Sequence, residues 1–372
     1  MSPAAAPPAN ARRIDLDGPF GLEAGGQLDA VTVAYESWGE LSPAGDNAVL
    51  VCHALTGSSH VAGDDDAPGW WDGVVGPGRT LDPARHFIVC ANHLAGCSGT
   101  TGPADIDPGT GRPWGMRFPV VTPRDMVAVQ KALLDRLGVR RLAVVIGGSL
   151  GGMLVWQWLV DHPEMVAAAV PIASAPRTSA WAVALNAVAR RAILADPAWN
   201  DGDYRDPGPA AGLALARQIA MISYRSQAEL EARFGRRTQG GDNASVPNRG
   251  EELAVESYLR HHGEALVRRF DARSYVVLTE AMDRHDAGRG YDGLDAALAR
   301  IRARVLAIGI SSDTLFFPSE LRDAVDRLRT LGGDARYEEL TSIHGHDAFL
   351  IEQPRVEGMI GSFLEGGRSC AC

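Results

Sequence analysis

The chain is short of positive charge, of cysteine and of long apolar runs, and each shortage removes a class of function. Lys and Arg number 36 against 46 Asp and Glu, a formal net charge of −10. A surface of that sign repels phosphate backbones and anionic headgroups, so neither nucleic acid nor membrane is expected as the partner. No stretch reaches the roughly 18 apolar residues needed to span a bilayer. No basic segment followed by an apolar one opens the sequence, and Met1 to Asn10, rich in Ala and Pro, reads as a frayed tail. The five cysteines, Cys52, Cys90, Cys97, Cys370 and Cys372, are odd in number and scattered. That spacing argues against a disulfide framework and for a reducing, cytoplasmic compartment. Cys52 and Cys90 fall in strand-like runs, where cysteine acts as a small hydrophobe, and Cys370-Ala-Cys372 reads as a tail. No His-x-x-x-His or Cys-x-x-Cys spacing supports a metal site, and no internal repeat is present.

What remains is ample for a large fold. With 372 residues, 45% of them hydrophobic, one large domain with an insertion or two domains is expected. Val31 to Trp38 reads as an early strand. Ala48 to Cys52 and His86 to Ala91 are short continuous apolar runs, the pattern of strands buried on both faces. Thr122-Pro123-Arg124-Asp125 starts a helix with a hydroxyl cap, Pro in the first turn and an acid beside it, and Gly138 closes it. Leu142 to Ile146 and Val166 to Ile172 are further strands. The intervening helix is apolar nearly all round until Pro163 stops it, so it should be buried. This alternation predicts a mostly parallel sheet covered by helices on both faces. From about Thr178 to Arg300 no convincing strand appears. Helical stretches dominate there (Trp181 to Ala195, Pro209 to Ile222, Gln227 to Phe234, Glu251 to Arg268, Ser274 to Asp283), broken by polar segments such as Gln239 to Arg249. Strands at Val305 to Ile310 and Ala335 to Leu340 and helices at Leu315 to Leu331 and Gln353 to Leu364 complete the pattern. The expected organisation is an α/β core over residues 12–177 and 301–366, a helical cap inserted at 178–300, and tails at 1–11 and 367–372.

The chemistry centres on Val144-Val145-Ile146-Gly147-Gly148-Ser149-Leu150-Gly151-Gly152-Met153. An apolar strand ends in Gly-x-Ser-x-Gly and passes into an apolar helix, the context a nucleophile elbow requires. A serine hydroxyl is a poor nucleophile at neutral pH, so it needs a base and an acid to orient that base. On a strand–turn–helix scaffold of this kind the chain order is Ser, then Asp or Glu, then His. Asp313 and His346 satisfy that order from loops that follow strands, on the same sheet edge as Ser149; His344 is the alternative base. A tetrahedral intermediate needs backbone donors, expected from Leu150 and, after the Ala48 to Cys52 strand, from Leu55. His53 and His60 read as turn or core histidines.

Several longer strings carry a resemblance. Cys52-His53-Ala54-Leu55-Thr56-Gly57, His60-Val61-Ala62-Gly63, Trp70-Trp71, Gly99-Thr100-Thr101-Gly102-Pro103, Phe118-Pro119-Val120-Val121-Thr122, Gly148 to Met153 and Gly345-His346-Asp347-Ala348-Phe349-Leu350 resemble the homoserine O-acyltransferase family of α/β-hydrolase-fold enzymes. The likeness runs over roughly residues 12 to 365. Leu150 stands where methionine is common in that family, and Ser58, near the expected acyl pocket, where an acid is common.

The resemblance implies acyl transfer rather than hydrolysis. Ser149 would take the acyl group of acetyl-CoA, a co-substrate with no further cofactor, and pass it to the side-chain hydroxyl of L-homoserine. By resemblance, Arg225 would meet the carboxylate of this zwitterion and Asp347 its ammonium. The alternatives are a surface arginine and a helix-capping aspartate. Arg233, Arg236 and Arg237 are either a solvated cluster or contacts for CoA phosphates. Succinyl transfer to homoserine, acyl transfer to serine, and a carboxylesterase on the same scaffold remain open. Family likeness also implies a homodimer.

Overall fold

Apolar runs too short to make helices supply the strands, and pairing turns them into one sheet. The structure, a computed structural model, describes residues 8, 10–205, 207–238 and 251–366. The remaining tail residues, the polar segment Gln239 to Arg249, Cys370 and Cys372 lie outside the described residues. Eight strands form the main sheet: β1 (Arg12–Leu16), β2 (Val31–Trp38), β3 (Ala48–Cys52), β4 (Phe87–Ala91), β5 (Leu142–Gly148), β6 (Ala168–Ile172), β7 (Arg304–Ile310) and β8 (Ala335–Leu340). Their spatial order is β1-β2-β4-β3-β5-β6-β7-β8. β2 runs antiparallel to both neighbours, and every pairing from β4 to β8 is parallel.

The parallel strands are buried on both sides, as their unbroken apolar sequences require. Along β3, Leu50 and Cys52 enter the core beneath one face while Val49 and Val51 enter the core beneath the other. The first core is filled by α1 (Pro123–Arg136) and α2 (Leu150–Asp161), with Trp156 and Trp158 fully buried on α2. It continues without a break into helices that follow β6: α3 (Ala180–Leu194), α4 (Ala210–Tyr224), α6 (Ala254–Val267), α7 (Ala272–Asp283) and α8 (Leu294–Leu298), with the short α5 (Gln227–Arg233) between α4 and α6 in the chain. Among the described residues none between β6 and β7 belongs to a strand. Next come α9 (Pro318–Thr330), also in the first core, then α10 (Ala348–Ile351) and α11 (Gln353–Glu365). α11 covers the second core together with the irregular segment around Val61, Trp71 and Leu81.

Local signals set the helix ends. Thr122 accepts from the Asp125 amide, the Asp125 carboxylate accepts from the Thr122 amide, and Gly138 takes φ +81 just past α1. Most expected starts fall within two residues of the observed ones, and two move by three. α6 begins at Ala254 rather than Glu251. α9 begins at Pro318 rather than Leu315, because the amides of Leu315 and Phe316 are spent on the Asp313 carboxylate.

The turn after β5 is the tightest junction. Ser149 sits at φ 57, ψ −124, a conformation L-residues rarely adopt. Its flanking glycines lie against backbone: a Cβ on Gly147 would fall 2.5 Å from the Cys52 carbonyl oxygen, and one on Gly151 only 2.0 Å from it. Neither contact can yield by rotating a side chain. Gly151→Ala is therefore expected to destabilise the fold by about 3 kcal/mol, as overpacking against fixed atoms does. Chemical denaturation checks this, and an unchanged midpoint would contradict the contact.

Candidate active site

Parallel pairing brings the ends of β3, β5, β7 and β8 to one edge, where open sheets of this kind bind ligands. Ser149 follows β5, Asp313 follows β7 and His346 follows β8. All three are buried, at 6%, 2% and 2% exposure. His346 Nδ1 donates to Asp313 Oδ2 at 2.7 Å. The other carboxylate oxygen of Asp313 accepts from the Leu315 and Phe316 amides at 2.8 and 3.0 Å, so the acid is fully engaged. With its Nδ1 proton held this way, His346 presents Nε2 as a lone pair, and that atom has no hydrogen-bond partner among the described residues. The rings of Phe316, Tyr224 and Phe349 stand 5.5 to 6.1 Å from the imidazole. Burial pushes the imidazolium of His346 down, but the Asp313 carboxylate more than offsets it, and the net shift is upward.

Ser149 and His346 open into one cavity of about 630 Å³. Leu55, Ser58, Trp70, Tyr224, Asp347 and Phe349 also line it. Leu150 is the first residue of α2, and neither its amide nor that of Leu55 is bonded to an acceptor among the described residues. His344 is outside the lining and faces Glu229 at 3.5 Å.

Asp347 precedes α10 but makes no capping bond through its side chain. It faces the cavity and lies 3.4 Å from Arg225. Burial raises its carboxyl above the usual range, against the pull of Arg225, His346 and Arg217. Arg225 ends α4 in extended conformation, stands behind Asp347 rather than on the cavity wall, and also pairs with Glu229 at 3.1 Å. Arg233, Arg236 and Arg237 do not line the cavity. Arg233 instead lies over the Tyr258 ring.

Sequence patterns missed three wall residues. Arg217 stacks over Tyr224 at 5.2 Å and has no ion-pair or hydrogen-bond partner among the described residues. Arg269 donates to the Thr56 carbonyl at 2.6 Å. His60 donates from Nδ1 to Glu36 at 2.9 Å and from Nε2 to the Ala67 carbonyl at 2.9 Å. Both contacts favour the protonated ring. Burial works against that charge, yet the bonds to Glu36 and Ala67 move its pKa upward overall. Arg217 is an isolated arginine in a helical stretch and Arg269 follows the end of one, and a linear pattern cannot tell either from a solvated arginine.

Within the described residues no group of three His, Cys, Asp or Glu is placed to hold a metal ion. The arrangement suits acyl chemistry on a serine: an elbow opening into the cavity, an oriented base and two free amides. In the wild type the neutral base is lost as pH falls through the raised pKa of His346. In Asp313→Asn that attraction is gone and burial dominates, so the acid limb should move to lower pH. The rate at which a fluorophosphonate modifies Ser149 should fall by about 10³-fold. An unmoved acid limb would assign it to another group.

Comparison with known proteins agrees with this geometry. A family profile described as alpha/beta hydrolase fold matches residues 47–351. A homoserine O-acetyltransferase of Symbiobacterium thermophilum is 50% identical over 360 residues, covering 95% of this chain and 94% of the relative. A homoserine O-succinyltransferase of Laribacter hongkongensis is 46% identical over 361 residues, covering 95% and 94%. The crystal structure of an esterase superposes with a TM-score of 0.87 at 30% identity, covering 95% and 99%.

Proposed function

The chain belongs to the homoserine O-acyltransferase family of the α/β-hydrolase fold, and on that premise we propose that it acetylates L-homoserine from acetyl-CoA. The products are O-acetyl-L-homoserine and free CoA, a step of methionine biosynthesis. Ser149 Oγ attacks the thioester carbonyl while His346 Nε2 takes its proton, and the amides of Leu55 and Leu150 hold the oxyanion. Collapse breaks the C–S bond, and the departing thiolate takes the proton from His346. The homoserine hydroxyl then gives its proton to His346 and attacks the acyl-serine. The ester leaves, and Ser149 recovers the proton. No cofactor enters these steps.

The observation that carries this reading is Asp347, next in sequence to the base, facing the cavity and held 3.4 Å from Arg225. A neutral ester needs neither charge. A zwitterionic amino acid can exchange partners with both, its ammonium going to Asp347 and its carboxylate to Arg225, so that no buried charge is left alone. The helices between β6 and β7 act as the cap: Arg217, Tyr224 and Phe270 reach the cavity from them. Their closure keeps water from the acyl-serine. A succinyl donor is the second reading, favoured by the succinyltransferase relative and by Arg217, the unpaired cation such a carboxylate would need.

A cytoplasmic homodimer fits the same reading. It is supported by the exposed apolar side chains of Val188, Leu215 and Ile222 on α3 and α4. No helix among the described residues is long and apolar enough to cross a membrane.

The test is thiol release from acetyl-CoA and succinyl-CoA, with and without homoserine. Continuing release is expected from acetyl-CoA only with homoserine present; without it, release stops once Ser149 is acylated. Equal release without it would make the protein a hydrolase, and a preference for succinyl-CoA would favour the second reading. Arg225→Ala should raise the KM for homoserine by about 100-fold, the loss of a charge-assisted pair, and leave that for acetyl-CoA nearly unchanged.

A further inference from the structure

Two buried imidazoles beside the site have no part in the steps above. His53 and His93 are 4% and 2% exposed and stack with ring centroids 3.7 Å apart at 29°. His53 Nδ1 lies 2.8 Å from the Ala54 carbonyl oxygen, and His93 Nε2 lies 2.8 Å from the His53 carbonyl oxygen. Carbonyls only accept, so these two nitrogens carry the protons. The opposite nitrogens, His53 Nε2 and His93 Nδ1, are buried without partners. An apolar pair would fill this space without leaving two lone pairs dry, a cost of the kind folded chains avoid. What the histidines add is their grip on two consecutive peptide carbonyls.

That grip has a directional consequence. In a trans peptide the C=O and N–H point to opposite sides. The Ala54 oxygen accepts from His53 Nδ1 and from the Gly57 amide at 2.9 Å. Its peptide plane is therefore set from the protein side, and the Leu55 N–H is turned the other way, toward the cavity that Leu55 lines. The His53 oxygen, fixed by His93, is 2.9 Å from where a Cβ on Gly151 would sit, in the first turn of α2 beside Leu150. One brace thus registers the loop that carries one oxyanion donor against the helix that carries the other.

We propose that His53 and His93 are positioning residues that aim the Leu55 amide at the oxyanion formed on Ser149 acylation. This rests on the acyl-serine reading above and is independent of which acceptor takes the acyl group. His53→Asn keeps a donor where Nδ1 was and loses the ring; His53→Phe keeps a stacking ring and loses the donor. Acylation by p-nitrophenyl acetate reads the step with neither CoA nor homoserine present, and Ser149→Ala, assayed alongside, must abolish it. If Ser149→Ala acylates at the wild-type rate, the acyl-serine reading itself fails. The His53→Phe acylation rate should drop by about 10²-fold with KM changed by no more than about threefold, whereas His53→Asn stays within about fivefold of wild type. The reverse order, Phe active and Asn impaired, would show a packing role and overturn the proposal, as would wild-type rates in both. Thermal unfolding verifies that each variant is folded. Should His53→Phe not fold, His93→Gln, which keeps the Nε2 donor, must outperform His93→Met by the same margin, and equal rates overturn it.

Discussion

The site is held in register by backbone lying directly on backbone, where the turn at Ser149 meets the end of β3. The Cys52 carbonyl occupies the space that side chains at positions 147 and 151 would need. On the other flank the Ser149 amide donates to the Ile172 carbonyl of β6 at 3.0 Å. Pinned between two strands, the serine can persist at φ 57, a backbone state that the surroundings must over-determine. The direction of Oγ, the placement of the Leu150 amide and its spacing from the loop at Leu55 all follow from that junction. A side-chain contact in the same place could relax; two peptide planes cannot.

Charge is managed by pairing before any ligand arrives. Asp313 spends its carboxylate on two amides and one imidazole, so both of its oxygens are engaged and it faces the imidazolium that each proton transfer creates. Asp347 and Arg225 hold each other, and Glu229 shares the arginine. Breaking such a set by truncating one member strands a buried charge, whereas exchanging partners with a zwitterion strands none. Arg217 departs from this rule: it rests on the Tyr224 ring inside the cavity and acts on Asp347 only through space, without an ion-pair partner among the described residues.

Features encoded locally were legible from the residues alone. β2, β3 and β8 occupy the residues their apolar patterns indicate, and the hydroxyl, Pro and acid at Thr122, Pro123 and Asp125 mark the start of α1. The order Ser149, Asp313, His346 was readable because parallel strands deliver their following loops to one edge. Features that depend on distant partners were not legible. β1 alternates charge and apolar groups at the sheet's rim, and only its antiparallel pairing with β2 makes it a strand. Residues 315–317 have helical composition but surrender two amides to Asp313. Arg217, on α4, and Arg269, in the turn after α6, become wall residues only through the tertiary packing. His53 read as a turn or core histidine, and its stacking on His93 could not be seen because that partner lies 40 positions on, in the loop after β4.

The central claim is that the hydroxyl at this bend carries the acyl group between donor and acceptor. Rapid mixing with acetyl-CoA in the absence of homoserine, followed by acid quench and peptide mass mapping, tests it most directly. One acetyl group is expected on the peptide containing Ser149, and it should vanish when homoserine is added before the quench. No acetylated peptide, or an acetyl group on another residue with Ser149 unmodified, would contradict the account.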